Sequence, residues 1–391
     1  MDFDPTDDER AFQRDLRAWL DRNLPDAWRT EHPREPWTAE TREIARQWQA
    51  RLASERYVAL GWPAASGGRE ASLGTRILLQ TELLRARAPR LLGHVGLDLV
   101  GPALIAHGSD AQKRRHLDRM RTGEEFWCQG FSEPGAGSDL ASLATRAERR
   151  DDNYIVNGQK VWTSVADVAD WCFLLARTDP SASKHAGISV LLVDMRSPGI
   201  EVRPLRQLTG DAEFNEVFFD DVSVPVSNRL GAEGAGWSVA MGILSHERGP
   251  MWTFLFQGHL RHEFDRLVAL VRARGESEAP LLRQALAAAH IDLQIMRLLG
   301  CRGLTTDQRG GNPGPASSLE KLFGSQVSQR LRALSVKTLG PEALLASDDP
   351  RSPWEGRWLR SYLYSRAETL LGGTSEIQRS VIARQLLGLP G

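Results

Sequence analysis

The chain has 391 residues, with 49 Lys+Arg against 50 Asp+Glu and a formal net charge of −1. That neutral balance argues against a nucleic-acid partner, because neutralising phosphates needs a basic face. Only Cys128, Cys172 and Cys301 occur, without a CxxC, which excludes a disulfide scaffold and disfavours a structural zinc site; no metal is expected. No apolar run approaches the ~18 residues that span a bilayer, and the acidic start MDFDPTDDER resembles no targeting peptide, so a cytoplasmic protein is expected.

Residues 6–122 read as helices. Thr6 to Glu9 has the form of a capping box, and Phe12, Leu16, Trp19 and Leu20 follow at helical spacing. A second helix carries Ile44, Trp48 and Leu52 and stops before Gly61-Trp62-Pro63. A third runs through Ile77 to Leu84, a fourth through Leu97 to Ile105, and Ala111 to Met120 forms a short charged one. From Phe126 the period changes to two. Tyr154-Ile155-Val156 and Lys160-Val161-Trp162-Thr163 flank Asn157-Gly158, a strong hairpin signal. Trp171 to Ala176, Ile188 to Val193, Ile200 to Pro204 and Glu216 to Phe219 are further strands. Successive strands without helices between them predict an antiparallel barrel or sandwich rather than a doubly wound sheet.

Pro225 and the glycines of 231–236 close the β region, and helices return after Trp237. Pro280 sits in the first turn of one, ahead of Leu281, Leu282, Ala285, Leu286 and Ala289. Ser317 to Glu320 reads as another capping box before Leu322, Phe323, Val327 and Leu331, with the Gly/Pro-rich 309–315 as a loop. Thr374 starts a last helix through Ile377, Val381, Ile382 and Leu386. The expected fold is therefore α+β in three domains: helical 1–124, β 125–235 and a helical bundle 236–391.

Several chemistries are excluded. No G-x-G-x-x-G follows a strand, no Walker loop, HExxH or G-x-S-x-G occurs, and His262-Glu263 lacks a second His four residues on. The informative segment is Ser132-Glu133-Pro134-Gly135-Ala136-Gly137-Ser138-Asp139. Alone it is a Gly-rich turn between strands. Functionally, its glycines would let a flat or phosphorylated ligand approach the backbone, with Ser132 and Ser138 supplying hydroxyls.

It does not stand alone. Asn157-Gly158-Gln159-Lys160-Val161-Trp162-Thr163-Ser164 follows it, and Leu371-Gly372-Gly373-Thr374-Ser375-Glu376-Ile377-Gln378-Arg379 comes near the end. Together, and in this order, these segments resemble the acyl-CoA dehydrogenase family over essentially the whole chain. The resemblance implies a helical, β, helical architecture and an FAD cofactor between the β domain and the C-terminal helices. Positions matching the family's flavin contacts are Gln129, Phe131, Ser132, Gly137 and Ser138, then Trp162, Thr163 and Ser164, then Thr374, Ser375 and Glu376. An indole at Trp162 suits stacking on a flavin, although a lone Trp is as readily a core residue. A hydroxyl at Ser164 could reach flavin N5.

The family's reaction removes a proton next to a thioester carbonyl, which needs a carboxylate of suitable pKa. Many members place it directly before Gly-Thr-Ser; here that position is Gly372. A subgroup places it before an Arg on the first C-terminal helix, which the resemblance matches to Glu247-Arg248. Glu247 is then the base, Arg248 and Gly373 lie with Ser138 on the substrate side, and the Gly372 N–H could bind the thioester oxygen. The implied reaction turns an acyl-CoA or acyl-carrier thioester into the trans-2-enoyl thioester, with an electron-transferring flavoprotein as electron acceptor.

One departure bears on assembly. The family's homotetramers carry Arg-x-x-Phe-Gly, whose Arg reaches the FAD pyrophosphate of a neighbour. Here the segment is Leu270-Val271-Arg272-Ala273-Arg274-Gly275-Glu276, and Gln-x-x-Gly-Gly has become Lys337-Thr338-Leu339-Gly340-Pro341. This chain resembles one half of the α2β2 enzymes that act on steroid side chains, the alternative to a homotetramer. A non-catalytic subunit, and a flavin monooxygenase or nitroalkane-type oxidase on the same fold, are the other readings; the intact Glu247 and EPGAGSD turn count against the first, a nitroalkane-type oxidase would be expected to use Asp as base, and a monooxygenase would not need Glu247.

Overall fold

Thr6 opens the first helix through the capping box that its spacing implies. Its Oγ1 accepts from Glu9 N–H, and its own N–H donates back to the Glu9 carboxylate at 3.0 Å. The computed structural model describes residues 4–29, 37–246, 250–311, 314–345, 347 and 349–390. Its helices are α1 (Asp7–Asn23), α2 (Ala39–Ser54), α3 (Leu73–Arg85), α4 (Gly101–His107), α5 (Asp110–Thr122), α6 (Gly236–His246), α7 (Pro250–Ala273), α8 (Pro280–Gln308), α9 (Ala316–Leu339), α10 (Arg357–Glu368) and α11 (Ser375–Val381). Its strands are β1 (Trp127–Gly130), β2 (Arg146–Arg150), β3 (Asn153–Ser164), β4 (Trp171–Arg177), β5 (Ile188–Asp194), β6 (Ile200–Leu205), β7 (Phe214–Pro225) and β8 (Arg229–Leu230).

The chain groups into two units. One holds all eight strands with α2 and α4–α6; the other holds α1, α3 and α7–α11. In the first, the sheet order is β6-β7-β3-β2-β4-β5-β8, with β1 beside β4. Most pairs are antiparallel, as consecutive strands imply. The pair β1·β4 is parallel, in register Cys128↔Cys172, because the chain leaves β1, forms the β2–β3 hairpin and returns in the same direction. The sheet's core includes Tyr154, Val156, Leu174, Leu191, Val193, Val217 and Phe219. All three cysteines are free and buried.

Two local expectations fail for non-local reasons. Asn157-Gly158 is not a turn: β3 runs straight through it, and the β2–β3 hairpin closes after Arg150. The Asn157 amide instead bridges to β7, donating to Asp221 Oδ1 at 2.9 Å and accepting from Asp221 N–H at 3.0 Å. Gly158 is required because a Cβ there would lie 2.7 Å from Thr145 Cα, and the register slips beside it. Likewise Ser317 to Glu320 forms no capping box. The Ser317 hydroxyl donates to Gly314 O at 2.8 Å, while the Glu320 carboxylate turns inward to accept from Thr253 on α7.

In the second unit α7, α8 and α9 enclose a core that includes Phe256, Leu260, Leu267, Leu293, Met296, Val327 and Leu331. Within it lies a charged triad. Arg332 grips Glu263 with two hydrogen bonds of 2.9 and 2.7 Å and donates to Glu368 at 2.8 Å; Ser328 also donates to Glu368. Among the described residues no helix is long and apolar enough to cross a membrane. Because all three charges are buried, removing one leaves the others uncompensated. Arg332→Met should therefore cost about 3–5 kcal/mol in denaturant unfolding, whereas Arg330→Met, at an exposed pair with Asp292, should cost under about 1 kcal/mol.

Candidate active site

On the sheet unit the two sequence motifs are joined by one buried ion pair. Lys160 faces inward from β3, on the same side as Tyr154 and Val156, and is 0% exposed. Its ammonium donates to Glu133 Oε1 at 2.8 Å and to Phe131 O at 3.1 Å. The Glu133 carboxylate also accepts from Ala144 N–H at 2.6 Å and Thr145 N–H at 2.9 Å. A further strut runs from Val161 N–H to Ser132 O at 2.9 Å. Burial pushes the Glu133 carboxyl up, but Lys160 and the backbone donors outweigh it and hold the group below its ordinary range. Burial likewise pulls Lys160 down, opposed by Glu133.

This frame fixes what surrounds it. Residues 133–136 close a tight turn through reciprocal backbone bonds of 3.0 Å between Glu133 and Ala136. Gly137 and Ser138 are exposed, and a Cβ built on Gly135 or Gly137 would meet nothing within 4 Å. The chain itself does not demand those glycines; they leave the backbone uncovered for something else. The register slips between Lys160 and Thr163, with Trp162 at φ +62°, and this bulge turns the indole outward. Trp162 is 59% exposed, not a core aromatic, and rests edge-on against Phe214. Thr163 is buried, with no hydrogen-bond partner for its Oγ1 among the described residues, and Ser164 is half-buried. Phe131 is buried against Phe173, and Gln129 is half-buried on β1. An apolar ring projecting beside bare turn backbone and an unused buried hydroxyl is a donor set that fits a flat, polar-edged ring system such as a flavin.

On the helical unit, Gly372 and Gly373 form a turn at φ +63° and +90° ahead of α11. Thr374 caps that helix, accepting from Ile377 N–H at 3.2 Å. Ser375 is buried, its N–H donating to Thr369 O at 3.0 Å, and Glu376 is exposed beside Arg379. The turn's carbonyls are held from beneath. Lys321 of α9 donates to Gly373 O at 2.7 Å, and Gln378 donates to Gly372 O and Gly373 O at 3.1 and 3.3 Å. Near Lys321 in sequence, burial lifts the Glu320 carboxyl to about 7, against the Thr253 hydrogen bond. Glu247 and Arg248 lie outside the described residues.

Sequence reasoning gave no role to Lys160, Glu133, Lys321 or Gln378. A signal existed for the lysines. Lys160 falls on the buried parity of β3, and Lys321 shares a helical face with Ser317, Ser318, Gly324, Ser325 and Ser328.

Comparison with known proteins agrees with this architecture. Models for the acyl-CoA dehydrogenase N-terminal, middle and C-terminal domains match residues 6–124, 128–222 and 234–387. The chain belongs to the acyl-CoA dehydrogenase family. It is thus an oxidoreductase of that family's type. It is 41% identical over 395 residues to the acyl-CoA dehydrogenase IpdE1 of Mycobacterium tuberculosis, with 98% of each chain covered. Among solved structures, the Tcur3481-Tcur3483 steroid ACAD matches with TM-score 0.88 at 29% identity, covering 100% of both chains. The ChsE4-ChsE5 complex from Mycobacterium tuberculosis matches with TM-score 0.83 at 31% identity, also over 100% of both. Homologues with this fold are flavoproteins.

The ion pair that joins the two motifs can be tested by pH. Lowering the Glu133 pKa on folding adds stability above the unfolded carboxylate range, and that stability is lost as pH falls through the folded value. Lys160→Met should cost about 3–5 kcal/mol near pH 7, with the gap from wild type closing as pH falls below ~4. Urea titrations from pH 3 to 8 would check it. Glu133→Gln/Lys160→Met, which buries no unpaired charge, should recover much of the loss.

Proposed function

We propose that this acyl-CoA dehydrogenase binds FAD and acts on a bulky alicyclic acyl thioester, with Glu247 as the base. The observation that carries the cofactor assignment is the arrangement around the Lys160–Glu133 pair: an exposed indole, a buried unused hydroxyl at Thr163 and uncovered glycine backbone, all on one frame. Phe131, Ser132, Gly137, Ser138, Trp162, Thr163 and Ser164 would hold the cofactor on the sheet unit, and Thr374, Ser375 and Glu376 on the helical unit. Bound FAD supplies a two-electron acceptor for the hydride leaving the β carbon.

The chain's own residues do the rest. Glu247 takes the α-proton while the electron pair of that C–H bond moves toward the thioester, and the Gly372 N–H donates to the oxygen where charge collects. The family resemblance assigns Ser138, Arg248 and Gly373 to the substrate. The conformation at 372 supports a base elsewhere. A side chain there has room, but it would be held at φ +63°, which costs roughly 1–2 kcal/mol for a non-glycine residue.

The bulky substrate and the composite assembly rest on the steroid-type relatives and on Arg274. That residue donates to Thr338 O at 3.4 Å and pairs with Glu342 within its own bundle, and Gly275 follows at φ +70°. It is committed at home and is poorly placed to hold a neighbour's pyrophosphate. Ile291, Ile295 and Leu298 form an exposed apolar stripe on α8, which supports packing against another helical chain. The partner we favour is a second, unlike acyl-CoA-dehydrogenase-like chain in an α2β2 complex, with an electron-transferring flavoprotein as acceptor.

Glu247→Gln should keep FAD yet lose substrate bleaching of the flavin by several orders of magnitude, with the acid limb of the rate profile gone. Near-normal bleaching would remove Glu247 from the reaction. Native mass spectrometry tests the assembly. The chain alone should hold little FAD, and co-expression with an unlike partner should give α2β2 with about two flavins; a homotetramer holding four would overturn that assignment.

A further inference from the structure

The Gly372–Gly373 turn has an unusual support. Two successive glycines at positive φ have wide conformational freedom, and no atom outside the turn would touch a Cβ on Gly372, so side-chain packing does not fix the conformation there. What fixes it is contact to its carbonyls. Lys321, 2% exposed on α9, aims its ammonium at Gly373 O at 2.7 Å. Gln378, fully buried, donates to the carbonyls of both glycines. The buried ammonium places a full positive charge directly beneath the turn.

We propose that Lys321 is a positioning residue for α-proton abstraction: it fixes the turn that carries the Gly372 N–H assigned above to the thioester oxygen, and its charge favours the negative charge that collects there. The proposal rests on the role assigned above to Gly372. Two physical effects act together. The clamp holds the donors in place, where a displacement of 1 Å can cost about 100-fold in rate. The carbonyl that Lys321 grips belongs to the 373–374 peptide unit rather than to the one that carries the Gly372 N–H, so the charge acts on the enolate through its field, which favours negative charge nearby in a low-dielectric interior. No bond to Lys321 forms or breaks. The α-proton passes to Glu247, the C–H electron pair delocalises onto the thioester oxygen, and the ammonium keeps its proton throughout.

The test compares the FAD-loaded complex of the wild type with Lys321→Met and Lys321→Gln, the second keeping an N–H donor without the charge. Flavin content, melting temperature and the rate of flavin reduction at saturating acyl-CoA are measured for each. A fourth readout uses acetoacetyl-CoA, whose bound enolate absorbance gives the pH at which it ionises on the protein. Lys321→Met should slow reduction roughly 10- to 100-fold at near-unchanged substrate affinity and raise the bound acetoacetyl-CoA pKa by about one unit, with Lys321→Gln between it and wild type. If activity instead falls only in proportion to lost flavin, with the remaining holoenzyme reducing at the wild-type rate and acetoacetyl-CoA ionising unchanged, Lys321 is a structural strut and the proposal fails. Should Lys321→Met not fold, the same two readouts on Lys321→Gln decide. A wild-type complex that holds FAD but never ionises acetoacetyl-CoA would refute the Gly372 assignment itself.

Discussion

A lysine buried to zero exposure in the middle of a strand is the constraint on which the sheet unit depends. Lys160 and Glu133 are both stripped of water, a loss of several kcal/mol per ion that their mutual attraction offsets only if every remaining lone pair and proton is satisfied. They approach that condition with backbone. Glu133 takes the N–H groups of Ala144 and Thr145, and Lys160 takes the Phe131 carbonyl. The pair therefore ties together the end of β1, the approach to β2 and the middle of β3, segments far apart in sequence. Glycine turns are poor at holding a shape by themselves. Here the uncovered backbone lies at residues 135–138, and the charge beneath holds its turn in place.

The helical unit repeats the device with different parts. Lys321 lies under the Gly372–Gly373 turn as Lys160 lies under the 131–138 turn, and in each case an ammonium is aimed at a backbone carbonyl next to residues the family resemblance assigns to cofactor or substrate. An apolar residue of similar volume would bury more cheaply in either place but would take a donor away from the carbonyl facing it. Deeper in the bundle the Glu263–Arg332–Glu368 triad ties α7, α9 and α10. Charged groups thus fix register and loop position, while the apolar clusters supply most of the bulk burial.

What the sequence made legible follows from how local each signal is. The Thr6 capping box spans four residues and forms as its spacing implies. Pro280 starts α8 for the same reason. Asn157-Gly158 has the composition of a turn but the job of a close approach to Thr145, a contact that no window of a few residues contains. Ser317 to Glu320 matched a capping pattern, and tertiary packing on Thr253 drew the glutamate away. The candidate site was legible through three motifs in order, yet the residues that hold those motifs in place lie inside or beside them and carry no motif meaning. Lys160 and Lys321 are visible only when burial parity is read for charged residues as well as apolar ones.

Three basic residues bear on the composite site proposed above. Lys160 and Lys321 each support a glycine turn of their own unit, so the supports for those turns are internal. Arg274, one of two arginines in the segment that replaces the family's Arg-x-x-Phe-Gly, is spent on closing its own bundle through Thr338 and Glu342, at a helix end already broken by Gly275. An Arg engaged by a carboxylate and a carbonyl cannot also present a free planar fork to a phosphate without giving up one of those contacts. In a ring of identical chains every site would inherit the same deficit, because symmetry repeats it at each interface. A second, unlike chain escapes that repetition. In the proposed assembly it has only to contribute the phosphate contact, and it need not duplicate the proposed base or the turns of this chain.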